Sequence, residues 1–205
     1  MSAPDALRAA PATLSLLALT TLVSVGAWFL FPEAVTLGAL VPARFGGEAL
    51  TGAVPALLTP FTAALLHSGW MHLLFNMIIL LWVGRAVEAA TGQPLLILLY
   101  VAGAAMGALA SCLLDPSSSV PRIGASGAVS AVIAVYAMIF SQQRVTSVAG
   151  LPPWVVRALW LGAAWVVIQI LIGLATPTID VGAHVGGFLA GLVLARPLLK
   201  IRFRR

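Results

Sequence analysis

Charge is scarce in this sequence. Eleven Lys and Arg and six Asp and Glu are spread over 205 residues, so 8% are charged where soluble domains carry about a quarter. With 61% hydrophobic residues and a mean hydropathy of +1.07, that scarcity excludes a water-soluble globule and marks an integral membrane protein. Cysteine is nearly absent: Cys112 stands alone inside an apolar run, has no intramolecular disulfide partner and reads as a small buried hydrophobe. His-Glu-x-x-His is missing, and no pair of aspartates lies within the apolar segments, so two established chemistries for cutting peptides inside membranes lack their residues. No segment repeats at a fixed period and no polar stretch is long enough for a second folded module, which predicts a single domain over residues 1–205. The net charge of +5 sits near helix ends and at Lys200, Arg202, Arg204 and Arg205, without interleaved aromatics. That pattern fits lipid headgroups rather than nucleic acid.

What is present is a series of apolar runs. A helix needs about 20 residues to cross ~30 Å of hydrocarbon, and helices are the open-chain solution that leaves no backbone group unpaired in lipid. Six such spans are predicted, at residues 12–31, 61–83, 94–114, 124–141, 154–175 and 181–199, giving an all-α polytopic fold. The first is too long, and ends too bulkily at Trp28-Phe29, for a cleaved secretory signal. Proline and glycine mark the breaks, among them Pro55, Gly92-Gln93-Pro94, Pro152-Pro153 and Thr176-Pro177. With both termini cytoplasmic, Arg8, Arg85, Arg144, Arg157, Arg196, Lys200, Arg202, Arg204 and Arg205 fall inside and only Arg44 and Arg122 outside. This positive-inside bias orients spans two, four and six to start from the outer face. Residues 32–60 are too polar to span and read as a structured outer loop at the interface.

The polar residues within the spans carry the functional signal. On a continuous helix His72 and Asn76 share one face while His67 lies about 140° from His72, so a metal site or transporter using His67, His72 and His184 is disfavoured. Two donors on one inward face suit a developing oxyanion, and they equally suit plain interhelical bonding. Ser126, in Gly124-Ala125-Ser126-Gly127, opens the fourth span, where free helix-start amides can join its own N–H in holding an anion. The pattern is not the Gly-x-Ser-x-Gly elbow, because Ala128 takes the last glycine's place. His184 is followed by Gly187 and Gly191 at +3 and +7, a stripe that admits a neighbouring helix closely. If that neighbour is the fourth span, Ser126 and His184 meet at one depth as nucleophile and base. No acid is placed to orient the imidazole, which points to a Ser-His dyad. Asp180 reads as a helix cap.

These residues resemble the rhomboid intramembrane serine proteases: His67-x4-His72-x3-Asn76, Gly124-Ala125-Ser126-Gly127 and Ala183-His184-x-Gly186-Gly187-x3-Gly191 match across spans two to six. The resemblance implies Ser126 as nucleophile and His184 as general base and acid. It also implies an oxyanion hole of His72, Asn76 and the Ser126 backbone N–H. It further implies a six-helix core, a wet cavity open to the outer face, and transmembrane protein substrates with small and helix-breaking residues near the cut. No metal or organic cofactor is expected, and the setting expected is a prokaryotic plasma membrane. Gly84-x3-Glu88 resembles a structural polar contact of the family. Two positions depart from the family: Leu58 and Thr59 stand where many relatives carry Trp-Arg in the first outer loop, and Ser130 stands where an aromatic ring often stacks on the catalytic imidazole. A catalytically silent chaperone or adaptor on the same fold is the rival.

Overall fold

In a computed structural model, residues 10–141 and 145–203 are described; Arg8, Arg144, Arg204 and Arg205, part of the charge count above, lie outside them. The helices are α1 (Pro11–Phe29), α2 (Ala34–Leu37), α3 (Thr59–Ala63), α4 (Trp70–Thr91), α5 (Gln93–Leu114), α6 (Ser126–Phe140), α7 (Pro153–Ala175) and α8 (Val181–Phe203). Among the described residues there are no strands, only two isolated bridges. Five helices, α1, α4, α5, α7 and α8, are long and apolar enough to cross a membrane, and α6 is a shorter apolar sixth. Prolines begin α1, α5 and α7, where the missing N–H removes nothing from the helix. Gly92, at φ +88°, makes the sharp joint between α4 and α5 that any other residue would strain.

Most of the expected spans agree with these helices to within a few residues, but the second does not. Residues 64–69 leave the helical path: Leu65 and Leu66 donate three residues back, to Thr62 and Ala63, and α4 begins only after an extended Gly69. The apolar content of 61–66 does not make a helix continuous with α4. The azimuth assigned to His67 from a helical wheel therefore does not hold.

α6 is the centre of the bundle, with Gly127 to Val132, Ala134 and Val135 all buried. It packs against α4, α5 and α8. The glycines of α8 set how near its neighbours lie: a Cβ at Gly187 would collide with the carbonyl oxygen of Gly127, and one at Gly191 with that of Ala131. At Gly186 the obstacles are Ala110 and the Met106 carbonyl on α5. Backbone therefore meets backbone on two faces of α8. At about 1.5 Å per residue, the 15 residues of α6 cover only about 22 Å of a ~30 Å core. α6 alone is therefore too short to cross that core.

The first helix is fastened by Glu88, 4% exposed on α4. Its carboxylate accepts the N–H of Ala12 at 3.0 Å and, from Thr13, the N–H at 2.8 Å and the hydroxyl at 2.7 Å. An anion at a helix start satisfies orphan amides and complements the dipole. Gly84 leaves just enough space for Thr13 beside it.

Candidate active site

Ser126 is the first residue of α6, and the segment leading into it is tied to residues between α2 and α4. Leu40 and Arg122 exchange backbone bonds of 3.0 and 2.8 Å, Gly124 donates to the Ala63 carbonyl at 2.9 Å, and Ala125 donates to His67 Nε2 at 3.3 Å. The first helical bond is Val129 N–H to Ala125 O, so the amides of Ser126, Gly127 and Ala128 have no partner among the described residues. Gly124 is required twice over: its φ is +130°, and a Cβ there would lie 2.7 Å from the Nε2 of His72.

His67 is fully buried and spends both ring nitrogens on structure. Nε2 accepts from Ala125, so Nδ1 carries the hydrogen and donates to Ser24 Oγ at 3.0 Å, whose hydroxyl passes to the Leu65 carbonyl at 2.8 Å. Burial, and secondarily the nearby His72, lower its pKa to about 3. Far from pointing away from His72, it lies edge to face with it at a centroid distance of 4.8 Å, because the loop at 64–69 turns it back. Its lone pair is occupied by a backbone amide, which leaves no nitrogen for a metal. Among the described residues no group of three His, Cys, Asp or Glu side chains could hold one.

His72 receives the Ser68 backbone N–H at Nδ1 at 3.5 Å, with Ser68 Oγ at 3.2 Å, so its Nε2–H faces Gly124 and Ser126. Asn76, one turn on, donates one amide hydrogen to the His72 carbonyl at 2.9 Å and keeps a second.

His184 lies on the first turn of α8. Gly127 packs on the carbonyl of Ala183, the residue before it, which draws the starts of α6 and α8 together. No hydrogen bond joins Ser126 to His184 among the described residues. The other ring nitrogen is engaged: His184 Nδ1 lies 2.7 Å from Gln169 Oε1 on α7. An amide oxygen can only accept, so Nδ1 carries the hydrogen, and in the neutral ring the lone pair falls on Nε2. Gln169 escaped the sequence reading; its signal was one amide inside an otherwise apolar span. Trp165 Nε1–H also bonds the His184 carbonyl at 3.2 Å and stacks on Phe188 at 4.5 Å.

Asp180 caps α8, accepting the Ala183 N–H at 3.0 Å. It also takes the Ser111 hydroxyl at 2.5 Å and lies 3.4 Å from the Arg122 guanidinium, which in turn holds Asp115 at 2.7 Å and Ser111 at 2.6 Å. Arg122 is thus a clamp across α5, the loop before α6 and the start of α8. Beside Ser126 lies a cavity of about 40 Å³, walled by Ala63, Ala64, Ala104, Ala108 and Ala128, with Arg122 and Asp180 also lining it. That is room for a few waters or one small side chain.

The Rhomboid domain profile matches residues 55–201, which take in α3 to α7 and nearly all of α8 but neither α1 nor α2. The chain belongs to the rhomboid family. This rhomboid is similar to RHOMBOID-like protein 5 of Arabidopsis thaliana, 34% identical over 139 residues, covering 65% of this chain and 41% of the relative. It is also similar to the Rhomboid protease GluP of Bacillus subtilis (strain 168), 31% identical over 144 residues, covering 69% of this chain and 25% of that protein. The rhomboid chain thus spans less than half the length of these relatives.

Proposed function

We propose that this rhomboid is an intramembrane serine endopeptidase that cleaves transmembrane proteins near the outer membrane face, with Ser126 as nucleophile and His184 as general base and acid. The observation that carries the reading is the engagement of His184 Nδ1 by Gln169 Oε1 at 2.7 Å, which leaves Nε2 without a hydrogen bond among the described residues, on a helix start packed against the helix start that bears Ser126.

In the proposed cycle His184 Nε2 takes the Ser126 proton as Oγ attacks the scissile carbonyl. The oxyanion is received by the Ser126 N–H, the His72 Nε2–H and the uncommitted Asn76 hydrogen. The imidazolium then protonates the leaving amine, and water enters through the same nitrogen to free the acyl group. The alanine-walled cavity beside Ser126 suits a small side chain next to the cut. The charge pattern supports both termini on the cytoplasmic side of a prokaryotic plasma membrane, with the chain acting as a single domain among lipids.

Purified protein, wild type and Ser126→Ala or His184→Ala, is tested on a transmembrane substrate in liposomes. Cleavage by wild type and by neither variant is expected, with all three folded. Retained cleavage in a variant removes that residue from the mechanism. The catalytically silent alternative is favoured by one observation, that Ser126 Oγ holds no hydrogen bond among the described residues. Fluorophosphonate labelling of wild type but not of Ser126→Ala would reject it.

A further inference from the structure

α7 is the least embedded of the five membrane-length helices. Of its 23 residues only Val156, Gly162 and Gln169 are buried, and Gln169 is 3% exposed. A polar amide at one of three buried positions on a lipid-facing helix needs a partner, because an unpaired amide away from water is costly. The partner is Nδ1 of His184, at 2.7 Å. Ser130 is one turn after Ser126 on the same face of α6 and is too small to hold the imidazole by stacking.

We propose that Gln169 is the positioning residue of the active site, a neutral third member that fixes the tautomer and the ring plane of His184. The inference rests on the protease reading above. By accepting the Nδ1 hydrogen, Gln169 forces the lone pair onto Nε2, the nitrogen that must take the Ser126 proton. It also gives the imidazolium formed in that step an oxygen to donate to. An acid in this place would be charged inside the bilayer, and an amide supplies the same acceptor without that penalty. The ionisable groups around the ring are few. Asp180 lies four residues before it on the same helix and is paired with Arg122, and His72 approaches from α4. From α7 the nearest is Arg157, twelve residues before Gln169.

The test measures kcat and KM against pH for the full chain in liposomes, with the fluorophosphonate labelling rate of Ser126, for wild type, Gln169→Leu and Gln169→Glu. Gln169→Leu keeps the volume and loses the acceptor. It is expected to lower kcat and the labelling rate by about tenfold or more while KM stays within about twofold and the melting temperature is held. Gln169→Glu keeps an acceptor and adds charge. It is expected to recover part of kcat over Gln169→Leu and to move the acidic limb of the kcat/KM profile to higher pH, because a carboxylate favours the imidazolium. Wild-type kcat and an unchanged profile in Gln169→Leu would overturn the proposal. So would equal losses in both variants with no shift in the profile, which is the outcome of a purely structural role. An active wild type with either result sinks this inference alone, whereas a wild type that neither cleaves nor labels sinks the protease reading and this one with it.

Discussion

His67 Nε2 accepts the backbone N–H of Ala125 at 3.3 Å, so a side chain between α3 and α4 holds the residue that precedes the candidate nucleophile. A proton on that nitrogen would break the bond. With a pKa of about 3 folded and 6.5 as the ordinary value, the unfolded chain binds more protons through the window between them. Stability from this group is therefore full above pH 6.5 and falls as the pH drops toward 3, by on the order of 1–2 kcal/mol at pH 5. Thermal unfolding in mild detergent should show a lower melting temperature at pH 5 than at pH 7, and His67→Gln should flatten that dependence. Identical pH slopes in the two proteins would refute the assignment.

Glu88 ties α1 to α4 through three bonds to Ala12 and Thr13. Replacing it with Ala leaves buried amides without an acceptor, for an expected loss of about 2–3 kcal/mol. Glu48, whose exposed carboxylate accepts the Ser119 hydroxyl at 2.9 Å, is the control, and Glu48→Ala should change stability by less than about 0.5 kcal/mol. Chemical denaturation of both variants makes the comparison, and equal losses would show that the cap adds nothing.

Gly187 faces the Gly127 carbonyl with no room for a methyl group, whereas Gly26 on α1 has open space around it. Gly187→Ala is expected to force α6 and α8 apart, lowering stability by about 3 kcal/mol and abolishing cleavage. Gly26→Ala should be neutral or stabilise by up to about 1 kcal/mol. A Gly187→Ala protein with native melting temperature and activity would contradict the close backbone packing described here.

Arg122 is 18% exposed and Asp180 19%, while Asp115 is 53% exposed. The pair with Asp115 is screened by solvent, so Asp115→Asn should alter stability by less than about 1 kcal/mol. Arg122→Met leaves the carboxylate that caps α8 without its cation, and is expected to lower both the melting temperature and kcat/KM further than Asp115→Asn does. Measuring the two variants side by side decides it, and the opposite order would place the clamp elsewhere.

How much of this was legible in sequence differs by element. The long spans were read to within a few residues because the bilayer's thickness imposes a length that hydropathy measures directly. Span two was misread because residues 61–66 are apolar enough to continue a helix, whereas Ser24, Trp28 and Ala125 hold the turned segment through hydrogen bonds to Leu65 and His67. That turn is why the His67 and His72 rings, expected to point apart, are in contact. The glycine stripe after His184 was legible, since absence of side chain is itself the signal for close approach. Gln169 and the Arg122 clamp were not, because each acts through a partner 15 to 58 residues away.

Composition alone determined that this chain lives in a membrane as apolar helices, because 8% charge cannot cover a surface facing water. It also supplied a serine and a histidine at the starts of two such helices. Tertiary structure decided the rest. Which nitrogen of His184 holds its hydrogen, which face of the bundle receives His67, and how Arg122 is neutralised all depend on atoms that meet only when the helices from α1 to α8 pack. Hydrogen bonds are satisfied by direction and distance, and neither is written along a one-dimensional chain.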